Sequence, residues 1–208
     1  MASPATHFGN NTIRIANGIA KISNNDDVNY AQIDQDGELT LAGTGRIVRH
    51  VRVAAPSWSA GAAAPTAGFF GIFPDWEFDS TTDDEVHYSL IVPYRFAAGT
   101  VIIVEVDWGY DGAPDAGTVD WALEYISVAP GEAVAGGTTT IHKLTLGNHT
   151  SGNLVRTVLD TGIVDAVAHD DLGFRLYRDV GGDSLGTDAC LIQVHFQFIM
   201  DKLGKPTT

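Results

Sequence analysis

Apolar residues in this chain recur at every second position, and that period sets what it can fold into. In "VIIVEVDWG", Ile102, Val104, Val106 and Trp108 fall on one side of an extended backbone, with Glu105 and Asp107 on the other. In "TVDWALEYIS", Val119, Trp121, Leu123 and Tyr125 oppose Asp120 and Glu124. In "ACLIQVHFQFIM", Cys190, Ile192, Val194, Phe196 and Phe198 oppose Gln193, His195 and Gln197. Strands alternate in this way when one face is buried and the other wet, as in antiparallel sheets. No stretch carries the i, i+3, i+4, i+7 pattern of an amphipathic helix.

Further strands are expected at 46–53, 86–92, 139–146, 154–160 and 171–177, separated by glycine- and proline-rich turns such as "DGAPDAGT". About eight strands at this spacing predict an all-β, antiparallel β-sandwich of jelly-roll type. Residues 1–45 are polar and rich in Asn and Asp, with too little apolar surface for a core of their own. They read as an extended N-terminal arm for attachment or subunit exchange, although "TIRIA" and "GELTLAG" could be strands. The sandwich is then expected over 46–203, with a C-terminal tail at 204–208. Residues 55–68 read as a long loop.

Chemistry-bearing motifs are scarce. The histidines show neither H-x-H nor H-E-x-x-H spacing, so no metal centre is predicted, and His87 and His195 fall on the wet faces of their strands. No G-x-S-x-G is present, and the glycine stretches lack the strand–helix setting of a phosphate cradle. A pair of carboxylates for glycoside hydrolysis is defined in space rather than in sequence, and Glu105 and Asp107 share a strand face. A jelly-roll glycoside hydrolase is therefore the third reading, and no catalytic residue is assigned.

The loop "RDVGGDSLGTDAC" carries Asp179, Asp183 and Asp188, weak candidates for a calcium site. Their spacing is not that of an EF-hand, and aspartate and glycine also suit an ordinary hairpin loop, so no cofactor is expected. Trp108 and Trp121 continue apolar strand faces and read as core. Trp58 and Trp76 sit in looser segments, and "FFGIFPDWEF" is dense in aromatics. Trp58, Phe69, Phe70 and Trp76 are thus the candidate interaction residues.

A net charge of -14 repels nucleic acid and anionic membranes, so neither is an expected partner. Cys190 stands alone and excludes an intrachain disulfide. The opening "MASPATHFGNN" has no signal-peptide pattern, and no apolar run matches a membrane span. A soluble protein made in the cytoplasm is expected.

"IVPYRFAAGTVIIVEVDWGYDGAPDAGTVDWALEYISVAPGE" resembles a pattern in structural proteins of tailed viruses, a bend and turn leading into a Trp-ended strand and then a V-x-W strand. "DLGFRLYRDVGGDSLGTDACLIQVHFQF" is similar to that family's closing hairpin, and "GELTLAGTGRIVRHVRV" to its entering strand. The resemblance spans roughly residues 37–200 and rests on architectural rather than catalytic motifs. It implies a non-enzymatic virion protein, made in the host cytoplasm and decorating the capsid of a tailed bacteriophage. It would be a homo-oligomer, with a trimer favoured, bound to the major capsid protein or another virion protein. The alternative is a tail, fibre or glycan-binding module.

Overall fold

The alternating stretches form strands and the glycine-rich stretches between them form turns. The computed structural model describes residues 5–8, 11–24, 28–35, 37–112, 117–134, 138–145 and 149–203. The tail expected at 204–208 lies outside them. Among the described residues, no helix is long and apolar enough to cross a membrane.

The chain begins with β1 (Ala5–Phe8), β2 (Asn11–Ala16), β3 (Ile19–Asn24), β4 (Tyr30–Ile33) and β5 (Leu39–Leu41). It continues with β6 (Ile47–Ala54), β7 (Ser59–Ala60), β8 (Thr66–Phe70), β9 (Phe73–Phe78), β10 (Glu85–Ile91) and β11 (Ile103–Gly109). The last strands are β12 (Val119–Val128), β13 (Thr139–Thr145), β14 (Val155–Val158), β15 (Asp171–Arg178), β16 (Ala189–Met200) and β17 (Lys202–Leu203).

The N-terminal segment, expected as an extended arm, folds back on itself. Strands β1 to β5 form an antiparallel meander closed by β17. Asn17 and Gly18, both at positive φ (52° and 77°), make the tight turn between β2 and β3, the geometry that an Asn-Gly pair favours in two-residue hairpins. Ile15 and Ile22 of this sheet are exposed.

The remaining strands form an all-β, antiparallel sandwich. One sheet has the order β13-β12-β15-β10-β7, and the other β14-β11-β16-β9-β8 with β6 also pairing with β16. Between them lie the residues that the alternation assigns inward: Val104, Val106 and Trp108 from β11, and Trp121, Leu123 and Tyr125 from β12. Trp108 meets Trp121 edge-on across the layers at 6.2 Å, and Phe174 stacks on Phe196 at 4.7 Å. Each such side chain contributes about 1.5–3 kcal/mol by leaving water.

Strict alternation breaks in β16. A register shift between Asp107 and Trp108 pairs Asp107 with Gln193 but Trp108 with Leu191. Such a bulge reverses the facing of every residue before it. Leu191 and Ala189 therefore enter the core, and Ile192, expected there, lines a surface depression beneath the β8–β9 hairpin. The loop expected over 55–68 is partly strand, since β7 adds to the edge of β10 and β8 pairs with β9.

Candidate functional site

On the sheet holding β10, β15, β12 and β13, the outward residues stand in rows across the strands. Register aligns Glu85, Tyr177, Ala122 and His142 in one row, and His87, Arg175, Glu124 and Thr140 in the next. Ser89, Gly173 and Ile126 form a third. Over these rows lies an open depression of about 700 Å³, lined among others by His87, Ser89, Glu124, Gly173 and Arg175. Gly173 keeps its floor low: a Cβ there would meet only Ile126 Cγ2, at 3.3 Å.

Arg175 is the organising group. Its Nε donates to Glu85, its Nη1 donates to Glu124 Oε2 at 3.1 Å, and its guanidinium lies 4.4 Å from the centre of the Tyr177 ring. Two carboxylates and a ring thus fix a side chain that is otherwise among the most mobile. Burial by itself raises the Glu85 carboxyl, but the Ala62 N–H and Arg175 outweigh it and hold the group below the usual carboxylate range. Burial, with Glu124 nearby, pushes the Tyr177 phenol up, so its hydroxyl stays protonated. His87 stands at the rim, 3.5 Å from Glu85. The face therefore offers fixed donors and acceptors around a half-buried aromatic ring.

The candidates singled out from the sequence are dispersed. Trp58 is a core residue, 2% exposed, packed against Tyr88 at 5.3 Å; its irregular surroundings do not keep it on the surface, because β7 returns the chain to the sheet edge beside it. Trp76 is half-buried, donating Nε1–H to Ala55 O at 2.8 Å, so it braces the chain next to Trp58. Phe69 is 73% exposed and Phe70 half-buried. With Ile72 and Phe73 they form an apolar hairpin tip.

The aspartates of the β15–β16 loop do not gather into one site. Asp183 forms a two-pronged ion pair with Arg178, and the carboxylate of Asp179 accepts the Gly181 N–H. Asp188 is exposed. Asp179 instead lies near Asp120 and His142. The cation that shapes this loop is the buried guanidinium of Arg178, which also donates to the carbonyls of Phe78, Leu185 and Thr187.

On the other sheet, Glu105, Asp107 and His195 depart from the wet face expected of them. Asp107 and His195 are almost fully buried. Asp107 takes Arg156 Nε on Oδ1 at 2.6 Å, and Arg156 Nη2 and Gln193 Nε2 on Oδ2, each at 2.9 Å. Arg156 from β14 and Gln193 from β16 thus cover this carboxylate. Cys190 is buried as expected, and burial pushes its thiol up, so it is no ready nucleophile.

No family model and no curated protein matches the sequence. Solved structures are similar in overall shape. An isomalto-dextranase of Arthrobacter globiformis T6, complexed with panose, aligns over 71% of this chain and 23% of its own, at 12% identity and TM-score 0.48. The chain thus spans under a quarter of that enzyme. The CBM35 of Cellvibrio japonicus Abf62 aligns over 77% of this chain and all of its own, at 7% identity and TM-score 0.44. TmCBM61, in complex with β-1,4-galactotriose, aligns over 75% and 89%, at 14% identity and TM-score 0.35. At these identities no residue of this chain takes a role from them.

Proposed function

We propose that this chain is a non-enzymatic attachment module that binds a neutral oligosaccharide on the open face of the β10–β15–β12–β13 sheet. The observation carrying this reading is Arg175, held between Glu85 and Glu124 and stacked on Tyr177 beside a depression of about 700 Å³. Sugars present hydroxyls at the ring edge and C–H groups on the ring face. A fixed fork of donors and acceptors answers the hydroxyls, and the tyrosine ring that holds it adds apolar surface beside the depression. Glu85 and Glu124 outnumber Arg175, so an anionic sugar would be repelled and a neutral one favoured.

Glycan-array binding by the purified chain, repeated with Arg175→Ala and Gly173→Leu, tests the reading. Both variants are expected to lose the signal, the first by removing the fork and the second by filling the floor. Retained binding in both would sink it.

A second reading has its own observation. Phe69, Ile72 and Phe73 are 73%, 89% and 56% exposed at one hairpin tip, an apolar surface suited to docking on another protein. It supports a virion structural role, as a capsid decoration protein or in a tail or fibre, with the module displayed on the particle. Copy number in purified particles of the source virus separates the two: high copy means decoration, low copy tail or fibre, and absence removes the reading.

A further inference from the structure

The face opposite the saccharide site holds a cluster that the proposed function does not use. His50 on β6, His195 on β16 and Glu105 on β11 occupy three adjacent strands of one sheet. Glu105 pairs directly with His195, while His50 pairs with Gln197 and is thus the diagonal neighbour of His195. All three project from the same face, and one donor atom from each lies within 4.8 Å of the others.

His195 is the informative member, because its side chain is only 2% exposed and both ring nitrogens face carboxylates. Nδ1 is 3.5 Å from Glu105 Oε2, and Nε2 is 3.0 Å from Asp107 Oδ2 without the alignment of a good hydrogen bond. A neutral imidazole has a single N–H, so one nitrogen must aim a lone pair at a carboxylate oxygen. A cation resolves that conflict, either a second proton or a metal ion.

We infer that His50, Glu105 and His195 form a binding site for a zinc-class divalent transition metal, with Asp107 as the outer carboxylate that orients His195. Two imidazoles and one carboxylate suit such an ion, whereas calcium requires more oxygens. The Nδ1–Oε2 separation of 3.5 Å is already near the edge of a tetrahedron with bonds of about 2.1 Å, roughly 3.4 Å. In this arrangement Nδ1 meets the metal and Nε2 faces Asp107 at 3.0 Å, the side on which a metal-bound histidine usually has its carboxylate partner. His50 is exposed, so the fourth position opens to solvent.

The test uses the full chain without an affinity tag, stripped by chelator and titrated with zinc alone in a calorimeter. One ion per chain is expected, with a rise in the unfolding midpoint. His50→Ala, a change at an exposed side chain that leaves the core intact, is expected to weaken zinc binding by at least ~10-fold. His142→Ala, at the other His-containing acidic cluster, should leave the affinity unchanged. Cobalt should give a tetrahedral absorption spectrum that His50→Ala abolishes. No zinc binding, equal affinity in wild type and His50→Ala, or loss of binding in His142→Ala would each overturn the assignment.

Discussion

Arg178 and Asp183, five residues apart in sequence, form a two-pronged ion pair in which both side chains are essentially buried, 0% and 3% exposed. The same guanidinium donates to three backbone carbonyls, from Phe78 at 3.2 Å, Thr187 at 2.8 Å and Leu185 at 2.6 Å. Strand β15, the loop after it and the end of β9 are thereby joined through one side chain. Without it, a carboxylate and three carbonyls would be left in an apolar setting.

Arg178→Met is therefore expected to destabilise the fold by about 3–5 kcal/mol, because it leaves Asp183 buried and unpaired. Arg178→Lys should recover little of this, since one ammonium cannot reproduce a planar fork that reaches four residues. Urea unfolding of the two variants measures both effects. A lysine variant as stable as wild type would show that charge alone matters there.

Asp120 gives a prediction in pH. Burial is the main cause raising its carboxyl above the ordinary value; His142 lowers it, and Asp179 and Asp183 raise it. Its Oδ1 is buried without a hydrogen-bond partner. Because the folded pKa exceeds the unfolded value of about 3.9, the folded state binds the extra proton. This contribution to stability is present below about pH 4 and is lost as pH rises through the folded pKa. Asp120→Asn is thus expected to raise the unfolding midpoint at pH 7, with the gain vanishing below about pH 4. An equal effect at both pH values would contradict the assignment to titration.

The hairpin tip separates attachment from stability. Ile72→Asp and Phe69→Ser change side chains that stand mostly in water, so the unfolding midpoint should move by no more than about 0.5 kcal/mol equivalent. Association with the assembled particle, or self-association of the isolated chain, should fall. A large loss of stability would mean that the tip is packed in the fold rather than offered to a partner.

Much of the sandwich was legible because burial on one face imposes the period-two pattern directly, and Val104, Val106, Trp108, Trp121 and Leu123 are where that pattern puts them. The Asn17–Gly18 pair, flanked by alternating residues, carried the signal for the β2–β3 hairpin, although its polar surroundings suggested an arm. Other features depend on partners distant in sequence. Nothing near Arg178 shows that Phe78, Leu185 and Thr187 will aim carbonyls at it. His195 occupies a wet-face position, and its burial depends on side chains from neighbouring strands. Ile192 leaves the core because of one bulge that the alternation cannot reveal. Arg175 and Tyr177 look like ordinary outward residues until register sets them beside Glu85 and Glu124.

The saccharide-binding claim is tested most directly by measuring the affinity of the purified chain for the neutral oligosaccharides it selects on an array, beside Tyr177→Ala and Arg175→Ala. The prediction is saturable binding by wild type and a loss of about 10-fold or more in each variant, both variants remaining folded. Unchanged affinity in both folded variants, or no binding to any neutral glycan, would contradict it.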